Sequence, residues 1–188
     1  MGKKLGLSLA DVVNAASAIA DEGGIESLNL VGVAEKLGVR APSLYHHVDG
    51  LERLRRELAL QGARELHEML ATAARGQRGK KALLAVARAY RAFARRHPGH
   101  LAAMLPAPKP SEDDELYQAL AKPVAEIARI LTDLGIGEDD AVHVVRALRS
   151  YLHGFLDLER RGGFGMPQKL ETSFELGLKL FIDGIGAR

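Results

Sequence analysis

From Arg40 to His47 the chain reads Arg-Ala-Pro-Ser-Leu-Tyr-His-His, a run dense in hydrogen-bonding side chains. A guanidinium binds the O6/N7 edge of guanine or a phosphate, and hydroxyl and imidazole groups reach phosphate oxygens or base edges. The chemistry on offer is recognition of double-stranded DNA. Arg40, Ala41, Pro42, Ser43, Tyr45, His46 and His47 form the candidate contact set, joined by Asn29, Leu30 and Val31 at the start of the preceding segment. Other chemistries lack residues. There is no cysteine, no Gly-x-Ser-x-Gly elbow and no phosphate-cradling glycine loop, so neither an enzyme nor a cofactor is expected. Among the seven histidines, His143 and His153 lie ten residues apart. That is about 280° around a helix, so they cannot share a face. His97 and His100 flank a Pro-Gly break and lack a nearby carboxylate partner, so no metal site is expected.

Two short apolar segments must position the contact set. In the first, from about Leu30 to Leu37, Asn29 is the N-cap and Val33, Ala34 and Leu37 face inward. Gly38 suits the left-handed residue that ends a helix. The second starts near Ala41, with Pro42 in a first-turn position where its missing N–H costs nothing. It turns Leu44 and Val48 inward and leaves Ser43, Tyr45, His46 and His47 to point elsewhere. Two helices of about two turns joined by a Gly-containing turn describe a helix-turn-helix. Ahead of it, Ser8 caps a helix to about Glu22, stopped by Gly23-Gly24. Behind it, Asp49 caps a long helix from Leu51 to Ala74.

The 188 residues are 47% hydrophobic and 27% charged, rich in Ala, Leu and Arg, which describes an all-α chain. It divides into a helix-turn-helix DNA-binding domain over 1–50 and a larger helical domain over 51–188. The net charge of +2 is uneven: residues 1–60 carry −1, residues 61–100 carry +7 and residues 101–188 carry −4. Lys3 and Lys4 lie in a basic arm. The cysteine-free composition, with no signal peptide and no apolar stretch of membrane-spanning length, points to the cytoplasm.

The helix over 82–96 has apolar Tyr90 and Phe93, with Arg88, Arg91, Arg95 and Arg96 mostly outward. After a proline linker, Ser111 with its acidic followers starts a helix that Pro123 should distort. Tyr90, Phe93, His97, Met104, Tyr117 and Tyr151 are the candidate contacts for a hydrophobic small molecule. The helix from Glu138 to about Arg161 is apolar almost all round, which asks for a second chain. With the last helix it forms the candidate two-fold interface, through Leu152, Phe155, Phe174 and Phe181, and Gly177 and Gly184 allow close approach.

The stretch DEGGIESLNLVGVAEKLGVRAPSLYHHVDGLERL, within Leu9 to about Leu70, resembles the TetR family of bacterial transcriptional repressors. Its markers are the Gly pair after the first helix, the Ala-Glu-Lys-Leu-Gly-Val turn and the closing Leu-Tyr-His-His-Val. Leu152-His153-Gly154 is similar to the Trp-His-Gly motif of one C-terminal subclass, with Leu152 in place of Trp. The resemblance implies a homodimer whose helical ligand-binding and dimerisation domain, 51–188, binds a small-molecule effector that releases the protein from a DNA operator. One departure is Leu51, where members usually carry a phosphate-binding lysine; Arg53 and Arg55 lie nearby.

Overall fold

The computed structural model describes residues 6–106 and 114–185, and every regular element among them is a helix. Two compact units are formed: Met1–Arg64 with Arg96–Leu120, and Glu65–Arg95 with Ala121–Arg188. The expected 50/51 boundary lies at the start of the helix Gly50–Ala74. Lys3 and Lys4, and the expected cap Ser111 with its neighbours, lie outside the described residues.

In the first unit, α1 (Leu9–Gly23) opens with a reciprocal cap. Ser8 Oγ accepts from the Asp11 N–H at 3.2 Å, and Asp11 Oδ2 accepts from the Ser8 N–H at 2.9 Å. The Ser8 hydroxyl, which donates to Asp11 Oδ2 at 2.6 Å, and then the Ser8 N–H hold the Asp11 carboxyl below the usual range. Next come α2 (Leu30–Leu37) and a six-residue 3₁₀ segment, Ala41–His46. Residues Val12, Ala16, Val33, Leu44, Leu54 and Leu58 are sealed in one core, each at 0% exposure. That core includes the first turns of α3 (Gly50–Ala74). The short α5 (Pro98–Ala103) packs on α1. Gly99 makes the approach possible, because a Cβ there would stand 2.5 Å from that of Ala20.

The second unit holds α4 (Gly79–Arg96) up to Arg95, the later part of α6 (Glu115–Asp133), α7 (Glu138–Arg160) and α8 (Leu170–Gly184). α6 continues helically through Pro123. Its start is capped by Asp114, whose Oδ1 accepts from the Leu116 N–H at 2.7 Å. Within this unit Phe93, Leu83, Ile130, Leu131, Leu148 and Phe174 are buried. Arg91 departs from its expected outward position and is buried as well. Its guanidinium pairs with Glu159 at 2.9 Å and Glu171 at 2.7 Å, and lies 4.2 Å from the Phe174 ring centroid. Two carboxylates and an aromatic face replace the water it gives up, a substitution helical periodicity alone cannot reveal.

Candidate functional site

Asn29 is committed to the backbone. Its Oδ1 accepts from the Gly32 N–H at 2.8 Å and its Nδ2 donates to the Ser27 carbonyl at 3.0 Å. Leu30 is half-buried beside the core, while Val31 stands 59% exposed at the start of α2. At the other end Gly38 adopts φ +66°, and the N–H groups of Gly38 and Val39 return to the carbonyls of Glu35 and Ala34, each at 3.0 Å. That left-handed residue reverses the chain without a Cβ clash.

The expected second helix is 3₁₀ rather than α. Only six residues lie between the turn and His47, so a full α ladder has little to propagate on. Leu44 (0% exposed) and Val48 (2% exposed) anchor the segment in the core. Arg40, Pro42, Tyr45 and His46 are consequently exposed, and Ala41, Ser43 and His47 half-buried. The four exposed residues are carried on a buried apolar pair.

Electrostatics thin out the positive charge available here. Arg53 pairs with Glu57 at 2.7 Å, and Arg55 with Glu52 at 3.2 Å and Glu26 at 3.7 Å. Lys36 lies 3.7 Å from Glu22. Arg40 makes no ion pair among the described residues. Leu51 packs against the core of the helix-turn-helix, which gives the absent lysine a structural reason.

Within the second unit, Tyr90 and His153 form a buried polar pair. The Tyr90 hydroxyl and His153 Nε2 share a hydrogen bond. Burial pushes the Tyr90 hydroxyl up to about 12. Burial, reinforced by Arg149, lowers the His153 imidazole to about 4, so His153 is neutral at ordinary pH.

The remaining expected ligand contacts are distributed between the units. Phe93 is sealed at 0% exposure, and the Tyr151 hydroxyl donates to the Phe174 carbonyl at 2.9 Å. His97, Met104 and Tyr117 belong to the first unit, with Met104 buried and Tyr117 exposed. A separate groove of about 600 Å³ runs between α4 and α8 past Lys80, Arg88, Glu175 and Lys179, and none of the six expected contacts lines it. His97 also has the carboxylate neighbour its sequence surroundings lacked, since its Nδ1 lies 3.9 Å from Asp21 Oδ2.

On α7 the buried side chains Ala141, Val145, Leu148, Leu152 and Leu156 form one stripe, so within its own chain the helix is amphipathic. Leu152 and Phe174 are buried in their own chain; Phe155 and Phe181 are half-buried. The faces turned outward carry Ala147, Ser150, Gly154 and Leu158 on α7, and Leu176, Leu180 and Gly184 on α8. Gly177 accommodates the Tyr151 hydroxyl of the same chain, whereas Gly154 and Gly184 face open space.

Comparison with known proteins agrees with this geometry. Residues 83–181 match the family described as Tetracyclin repressor-like, C-terminal domain. The chain is 32% identical to the HTH-type transcriptional regulator YobS of Bacillus subtilis, over 98% of this chain and 96% of that one. It is 34% identical to the HTH-type transcriptional regulator Rv0681 of Mycobacterium tuberculosis, over 83% of this chain and 72% of that one. A TetR variant from Acinetobacter baumannii, solved in complex with minocycline, superposes with a TM-score of 0.71 at 23% identity, covering 95% and 96% of the two chains. Fold and relatives together define an all-helical transcriptional regulator with an N-terminal helix-turn-helix. The chain belongs to the TetR family. No helix among the described residues is long and apolar enough to cross a membrane.

Proposed function

We propose that the chain is a homodimeric repressor that grips a palindromic operator and is released by a small, largely apolar molecule. The observation carrying this reading is the outward set Arg40, Pro42, Tyr45 and His46, held on the buried anchors Leu44 and Val48. Arg40 reads guanine or phosphate; Tyr45 and His47 hold phosphate; Ala41, Ser43, His46 and Val31 meet base edges or methyl groups. Asn29 and Leu30 contribute through the start of α2, where backbone N–H groups attract phosphate.

For the effector, the second unit offers Tyr90, Phe93 and Tyr151, with His153 as the polar fixture. A neutral Tyr–His pair in apolar surroundings suits an uncharged molecule with one hydrogen-bonding group. His97, Met104 and Tyr117 remain candidates on the first unit.

Selection of duplexes from a random pool, followed by binding at several salt concentrations, tests the reading. The expected result is a palindromic site whose affinity falls steeply with salt. If no palindrome emerges, the repressor reading fails. A second reading, a dimeric scaffold with weakened DNA affinity, draws on the ion pairs occupying Arg53 and Arg55. It predicts a dimer without measurable DNA binding at any salt.

A further inference from the structure

We propose that Asp21, His97 and His100 form a binding site for a divalent transition-metal ion, with zinc the best match. Each offers one donor atom, and the three atoms lie within 4.8 Å of one another. Tetrahedral zinc bonds of about 2.0–2.1 Å bring such donors to roughly 3.3 Å apart, so a contraction of about 1.5 Å completes the site. The half-exposed His97 can supply that movement, whereas His100 is buried at 2% exposure.

The scaffold around these groups is built for close approach. Gly99 lets α5 meet the end of α1, where a Cβ would stand 2.8 Å from the Ala20 carbonyl carbon and 2.9 Å from the Asp21 nitrogen. Gly62 on α3 gives the same freedom to His100, since a Cβ there would lie 2.8 Å from the histidine Cβ. The Gly99 N–H donates to Asp21 Oδ1 at 2.7 Å and orients the carboxylate. The Ser17 hydroxyl lies 3.3 Å from Asp21 Oδ2 and 3.4 Å from His100 Nδ1, bracing both. Orienting partners of this kind accompany metal ligands.

Two further features favour a cation of this class. Asp21 sits in the last turn of α1, where the helix carbonyls place negative potential. Two imidazoles and one carboxylate suit zinc, nickel or copper rather than magnesium or calcium, which prefer oxygen. With water as fourth ligand, the ion clamps the end of α1 to α5. The site does not depend on whether the helix-turn-helix binds DNA.

The test is calorimetric titration of the tag-free, full-length chain with zinc chloride, and separately with magnesium chloride. One zinc ion per chain is expected, with no magnesium heat. Asp21→Asn, which keeps the acceptor for the Gly99 N–H, and His97→Ala should each weaken zinc binding at least tenfold while far-UV circular dichroism stays unchanged. Absence of zinc binding overturns the proposal. So does equal affinity in both folded variants, because the ion then sits on other histidines.

Discussion

Arg40 makes no ion pair among the described residues, whereas Arg53 and Arg55 are engaged by glutamates, which makes Arg40 the proposed DNA contact to test first. Arg40→Ala should therefore weaken operator binding by about 1–3 kcal/mol if it reads a guanine. If it holds only a phosphate, the loss should instead be uniform across sequences, with a shallower salt slope. Fluorescence anisotropy on selected and scrambled duplexes separates the two. Leu51→Lys makes the complementary case. A lysine there adds a phosphate contact, steepening the slope of log affinity against log salt by about one. It also removes apolar packing from the three-helix core, so the melting temperature should fall as affinity rises. His153 makes a different prediction, about pH. Its folded imidazole titrates near 4 against an ordinary 6.5, so between those values the unfolded chain binds a proton that the folded chain refuses. Stability should accordingly decline as pH falls through that window, and denaturant midpoints measured at successive pH values should show it. His153→Gln, which can still hydrogen-bond Tyr90, should flatten this part of the profile. The exposure of Arg40, Pro42, Tyr45 and His46 was legible in the sequence because a motif with fixed spacing turns Leu44 and Val48 inward. The partners of Tyr90 and His97 were not, since no local spacing relates Tyr90 to His153 or Asp21 to His97.

Helices declare themselves through periodicity and caps, and here those signals fixed most elements. Ser8, Asn29 and Gly38 act where their types require. The 3₁₀ form of Ala41–His46 escaped because the apolar positions 44 and 48 do not by themselves distinguish the two helices, and the segment is only six residues long. Burial of Arg91 escaped for another reason: its carboxylate partners come from α7 and α8, on either side of a loop. Gly99 shows an element-scale constraint that the sequence displays only as one glycine among several. Gly99→Ala should force α5 away from α1 and cost about 1–3 kcal/mol, the usual range for overpacking a filled site. Chemical denaturation compared with the parent chain measures this. An unchanged midpoint would mean that the two helices separate without loss.

At the scale of the molecule, a palindromic operator needs two reading motifs held at a fixed separation, so assembly and DNA affinity should be inseparable. The all-round apolar character of α7 suggested a partner chain, yet within this chain its large side chains fill one stripe and face inward. Among the residues turned outward, interspersed with charged ones such as Arg146, Arg149, Asp157 and Lys179, are Ala147, Ser150, Gly154 and Leu158 on α7 and Leu176 and Leu180 on α8. Small residues let two helix backbones approach closely, while exposed leucines supply the apolar area that association removes from water. Substituting Phe155 or Phe181 would confound assembly with folding, because both are half-buried in their own unit. Gly154 avoids that difficulty, since a Cβ there meets nothing within 4 Å. Gly154→Arg should leave helicity and fold intact, and should place a charged side chain in the centre of the proposed seam. Sedimentation equilibrium should then report a monomer, and operator affinity should fall by the contribution of the second half-site. A folded Gly154→Arg dimer would move the interface off this face of α7.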